Sequence, residues 1–184
     1  VRRRRLAPPG VGREEDVLTE RPGQLTRAAA AYGLAVVTLL NFLNYIDRYV
    51  LSAVLPRIKT EFAVSDFDLG LLANAFLVAY FVTSPIFGRR GDRGRRTRWM
   101  AAGVAAWSLA TGLAGLARSF GQLLVARGGV GVGEAAYGTI APALLADYFP
   151  EARRGRAFAI LYVAIPVGSA VGFLLGGAIA QAYG

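Results

Sequence analysis

Residues 41–56 read NFLNYIDRYVLSAVLP. The stretch lies in the back half of an apolar run that starts near Ala28, and it carries two adjacent opposite charges, Asp47 and Arg48. A charge at bilayer depth costs roughly 2.5–3.5 kcal/mol on insertion scales, so a membrane helix that keeps two must turn them toward protein or water. Whether the rest of the chain supplies a membrane, and partners for those charges, decides the fold.

The composition supplies the membrane. Of 184 residues, 54% are hydrophobic and 18% charged, and the apolar residues fall in long blocks separated by arginine-rich segments. That pattern is a polytopic membrane protein rather than a soluble domain. The net charge of +9 would suit nucleic acid, but no recognition motif accompanies it, so nucleic acid is not an expected partner. With neither Cys nor His, there is no disulfide framework, no usual zinc ligand and no imidazole base. No cofactor or metal is expected.

Taken in order, residues 1–27 are rich in Arg, Glu, Pro and Gly and read as a disordered cytoplasmic tail. A signal peptide fits poorly, because the apolar run after Arg27 outlasts an h-region. Residues 28–184 divide into about five spans, near 28–56, 69–88, 99–117, 122–149 and 158–183. Between them lie RIKTEFAVSDFD, the loop RRGDRGRRTR with six arginines against one aspartate, the short turn RSFG, and PEARRGRA. The tail, the loop at Arg89 to Arg98 and the loop at Arg153 to Arg156 share one side and hold nearly all the loop arginines. The positive-inside rule makes that side, and the N-terminus, cytoplasmic.

Three segments carry the chemistry. Arg127 and Glu134 in the fourth span are seven residues apart and share one helix face. Helix rise puts Arg127 roughly 8–10 Å inside the outer surface and Glu134 near mid-membrane. Asp47 lies at a depth like that of Arg127, so the two are expected to pair, with Arg48 and Glu134 as a second pair. Ionisable groups inside a membrane face a functional cavity by default, although a network that only holds helices together is the plain alternative. Arg127 suits an anion because its fork makes paired hydrogen bonds. Glu134 is the first candidate proton carrier and Asp47 the second. Asn44, Tyr45, Asn74, Tyr80 and Tyr137 are further polar groups that fit a cavity wall. In the fifth span Gly168, Gly172 and Gly176 recur every four residues, a face for close helix packing. Pro166 frees a carbonyl and marks a kink.

The loop Gly88-Arg-Arg-Gly91-Asp92-Arg93-Gly94-Arg95-Arg96 resembles the signature that the major facilitator superfamily carries between its second and third spans. Gly88, Gly91, Asp92, Arg93 and Arg96 match it in register, while Arg90 and Arg95 replace an apolar residue and a glycine. Gly88 is expected to admit a neighbouring helix, and Asp92 to cap the third helix and pair with arginines. Arg127, Gly131 and Gly133 match the family's pattern in the fourth span. NYIDRYVLSAVLP, GVGEAAYGTIAPALLADYFP and AIPVGSAVGFLLGG together resemble the Spinster-type branch.

The resemblance implies the N-terminal half of a fold with twelve spans in two halves, and a cavity opened alternately to either side. It makes the chain the leading part of a longer transporter, with the C-terminal half, membrane lipids and a small amphipathic solute as partners, and unable to transport alone. The implied function is secondary transport, in a cell membrane such as the bacterial inner membrane, of an anionic amphiphile such as a lysolipid or sphingolipid-like molecule, with proton coupling. Asp47 and Glu134 would couple or gate. Arg48, Arg127, Asn44, Tyr45 and Tyr137 would bind substrate, and the loop signature would gate the cytoplasmic side. A multidrug or organic-anion transporter, or a scaffold that moves nothing, is the alternative. An enzyme using Asp47 and Glu134 as acid and base is disfavoured, because no nucleophile with a base, metal cluster or phosphate loop is present.

Overall fold

The computed structural model describes residues 26–183. The tail predicted for residues 1–27 lies outside them as far as residue 25. Thr26 and Arg27 belong instead to the start of the first helix, where the Thr26 hydroxyl accepts from the Ala29 N–H at 3.2 Å. Five helices follow in order: α1 (Arg27–Glu61), α2 (Asp66–Arg93), α3 (Arg96–Ala114), α4 (Phe120–Tyr148) and α5 (Glu151–Tyr183). Three of them, α1, α2 and α5, are long and apolar enough by length and composition to cross a bilayer. The other two, α3 and α4, are rich in Ala and Gly and lie against them in the same bundle.

The helices run past the predicted ends. Pro56 lies inside α1 and does not end it, so RIKTEFAVSDFD is mostly helix and the turn is residues 62–65. That turn is closed by local chemistry. The Val64 N–H donates to the Lys59 carbonyl at 3.2 Å, with Ala63 at φ 49° in the left-handed position that usually favours glycine. Ser65 and Asp68 cap α2 reciprocally. The hydroxyl and N–H of Ser65 hold the exposed Asp68 carboxyl below its ordinary pKa. Likewise the loop RRGDRGRRTR is helical through Arg93, and PEARRGRA is largely the first turns of α5.

Two groups of helices build the bundle. The first is the pair α1 and α5; the second sets α4 between α2 and α3. Both rest on missing side chains. A Cβ at Gly168, Gly172 or Gly176 would lie 2.7 Å from the Phe42 carbonyl, the Ile46 carbonyl or the Ala53 Cβ of α1. The predicted glycine face is thus the α1 contact. In α4, Gly131 abuts the backbone of α2 at Phe76, and Gly133 abuts α3 at Gly103 and Trp107. Glycines two apart point to different neighbours, which lets α4 touch both closely. The large apolar side chains Leu39, Phe81, Leu109, Val125 and Leu174 stay exposed on the outside, as expected of a surface that lipid covers.

Candidate functional site

Contact between the two groups is thin where α1 and α5 face α4, and a cavity of about 230 Å³ lies there. Its α1 wall is Asn41, Asn44, Tyr45 and Arg48, one helix face at three- and four-residue spacing. Glu134 and Tyr137 face them from α4, and Tyr80 of α2 and Tyr162 of α5 complete the ring of polar groups.

Arg48 and Glu134 are joined across the cavity. The Arg48 Nε donates to Glu134 Oε2 at 2.8 Å, and Nη2 bonds the same oxygen. The other oxygen, Oε1, is buried without a partner, as is Asn44 Nδ2. A carboxylate with one oxygen committed and one spare is suited to receive a proton or a donor group from a bound molecule. The Arg48 guanidinium lies 4.6 Å from the Phe76 ring centroid and 5.4 Å from that of Tyr45, and aromatic faces stabilise a partly dehydrated cation. The Tyr137 hydroxyl is already spent on the Val37 carbonyl at 2.7 Å. Asn41, which also lines the cavity, ties α1 to α5 by donating to the Leu161 carbonyl at 2.9 Å.

The expected pair of Asp47 and Arg127 does not form. Asp47 turns toward α3, where its Oδ2 accepts from the Trp107 indole at 3.0 Å and the Thr111 hydroxyl at 2.9 Å. Neighbours on a helix point about 100° apart, so only one of Asp47 and Arg48 can face α4, and that one is Arg48. Arg127 is 8% exposed, lies 5.2 Å from the Phe76 centroid and has an unpartnered Nε. Neither Asp47 nor Arg127 lines the cavity, and Asn74 is exposed on the outer face of α2.

At the arginine-rich end, Gly91 rather than Gly88 makes the close approach. A Cβ at Gly91 would sit 3.1 Å from Ile140 of α4, whereas at Gly88 it would reach only ordinary contact with Thr139, at 3.8 Å. Asp92 does not cap α3, whose N-cap is Arg95 with no side-chain bond. It pairs with Arg96 at 3.2 Å, and Arg96 also bonds Asp147 at the end of α4. Each acid sits at a helix C-terminus and the arginine at an N-terminus, where the dipole disfavours it; pairing relieves all three. Bonding to Asp147 first, and to Asp92, raises the pKa of Arg96 further. Asp147, Trp107, Thr111 and Asn41 were missed in the sequence. Only Asp147 carried a signal: an acid in the last turn of a span that ends on the arginine-rich side.

The sequence from residue 37 to 184 matches the family model described as Major Facilitator Superfamily. This chain belongs to the major facilitator superfamily. Within it the relatives are of the Spinster type. "Protein spinster homolog 1" of Homo sapiens is 44% identical over 83% of the chain and 29% of its own length. "Sphingosine-1-phosphate transporter SPNS2" of Mus musculus is 40% identical over 82% and 28%. A bacterial homolog of the human lysosomal transporter Spinster, solved inward-facing and unoccupied, superposes with a TM-score of 0.80 at 35% identity, over 84% of this chain and 33% of that one. This major facilitator chain therefore spans about a third of the length of the relatives it matches.

Proposed function

We propose that this chain forms the first part of a secondary transporter that carries an amphipathic, anionic solute of the lysolipid or sphingolipid-like kind by alternating access. The observation that supports it most is the Arg48–Glu134 pair on a cavity wall, with the second carboxylate oxygen buried and uncommitted to Arg48, and aromatic rings against the guanidinium. A pair built only to hold helices would have both ends satisfied. Arg48 holds the anionic head, and Tyr45, Tyr80 and Tyr162 flank the apolar body. Glu134 takes the coupling proton and releases Arg48 when it does so. Arg127, buried beside Phe76 and free of any bonded acid among the described residues, is a cation that an opened cavity can offer to the same head. The mouse relative named a sphingosine-1-phosphate transporter has a cargo of this chemistry. Gating falls to Gly91, Asp92, Arg93 and Arg96, and a bacterial inner membrane is the proposed location.

The test is solute uptake into proteoliposomes by the transporter that contains these residues. Glu134→Gln is expected to abolish the pH dependence of uptake, and Arg48→Gln to abolish uptake of anionic but not neutral amphiphiles. Uptake and pH profile both unchanged in Glu134→Gln would remove the coupling role.

A further inference from the structure

A second concavity, of about 400 Å³, lies at the arginine-rich end and shares no lining residue with the central cavity. Ile86, Arg89, Arg90 and Arg93 of α2 form one side and Trp99 of α3 the other. The four α2 positions are spaced by three and four residues, so they form one face. The Arg90 guanidinium lies 4.9 Å from the Trp99 ring centroid. The acids nearby are committed elsewhere, since Arg96 binds both Asp92 and Asp147. Arg89, Arg90 and Arg93 have no ion-pair partner among the described residues. Below them the same face turns apolar and open: Ile86, Val82 and Val78, each four residues from the next, are 47%, 60% and 61% exposed.

Unpaired cations at the membrane boundary, a tryptophan beside them and an apolar stripe running inward match one shape of molecule. We propose that this cleft binds the headgroup of an anionic phospholipid of the cytoplasmic leaflet, with an acyl chain laid along Ile86, Val82 and Val78. Arginine forks give paired hydrogen bonds to a phosphate diester. Tryptophan belongs at headgroup depth, and the cytoplasmic leaflet is where anionic lipid and exposed arginines meet. A free phosphate would satisfy the arginines but leave the stripe without purpose.

The intact protein, purified in detergent, is titrated with phosphatidylglycerol or phosphatidylcholine, and bound lipid is counted by native mass spectrometry. Phosphatidylglycerol is expected to bind at least about tenfold more tightly. The triple variant Arg89→Gln, Arg90→Gln, Arg93→Gln is expected to lose that preference. A charge-matched variant of exposed arginines at the same end, Arg98→Gln, Arg153→Gln, Arg156→Gln, is expected to keep it. Equal binding of the two lipids by the unaltered protein overturns the proposal without any variant. Equal loss in both triple variants overturns it in favour of diffuse charge, and displacement of phosphatidylglycerol by millimolar inorganic phosphate overturns it in favour of a free-anion site.

Discussion

Asp47 hydrogen-bonds two donors on α3 while its neighbour Arg48 reaches into the cavity on the other side of α1. The two donors need an acceptor, and an amide oxygen serves as well as a carboxylate. Asp47→Asn should therefore keep most of the stability that Asp47→Ala loses. The alanine variant orphans the Trp107 N–H and the Thr111 hydroxyl, at about 1–3 kcal/mol for a fully buried group, less for the half-buried Thr111. Thermal unfolding in detergent measures this; an asparagine variant as unstable as the alanine one would show that charge, not hydrogen bonding, holds α1 to α3. At Glu134 the balance differs. Breaking a fully buried ion pair from one side costs roughly 3–5 kcal/mol, but Arg48 is 30% exposed, so water in the cavity takes over part of its solvation. The pair can therefore open, as a coupling element must.

Among the elements, α5 approaches the backbone of α1 most closely at its glycines. Gly172 has the Ile46 carbonyl at 2.7 Å and the Tyr49 Cβ at 2.9 Å from where its own Cβ would be, whereas nothing lies within 4 Å of that point at Gly177. In lipid there is little hydrophobic force between helices, so close backbone approach supplies the association. Gly172→Ala should lower the unfolding temperature in detergent, and Gly177→Ala should leave it unchanged or raise it, since alanine is the better helix former by about 1 kcal/mol. Equal effects at the two positions would mean that α5 is not held by this face. Sequence spacing showed that face correctly but could not say which helix it meets.

For the whole molecule, orientation follows from where the arginines collect. The Arg96–Asp147 bond ties the α2–α3 turn to the end of α4, so both arginine-rich connections lie at one end of the bundle, and the 62–65 turn lies at the other. These 184 residues hold no cysteine, so a cysteine placed among them has no native competitor there. In whole cells an impermeant maleimide should label Glu61→Cys directly and Arg153→Cys only after permeabilisation. The reverse pattern would invert the topology and move the proposed lipid site to the outer leaflet.

Composition and charge spacing were enough for an all-helical membrane bundle, its order of helices and its arginine-rich end, because burial in lipid demands long apolar blocks and charge asymmetry that any single strand of sequence displays. The family was legible only through the resemblance of particular motifs, those at Gly88 to Arg96 and Arg127 to Gly133 among them. The pairing of Arg48 with Glu134 was also within reach, since both had to find an opposite charge at bilayer depth. What the linear chain withheld was rotation. Which of Asp47 and Arg48 faces α4, which glycine meets which helix, and why Asp92 turns to Arg96 and not to a cap all depend on angles about helix axes. Those angles are set by packing between segments far apart in sequence, so only the folded bundle decides them.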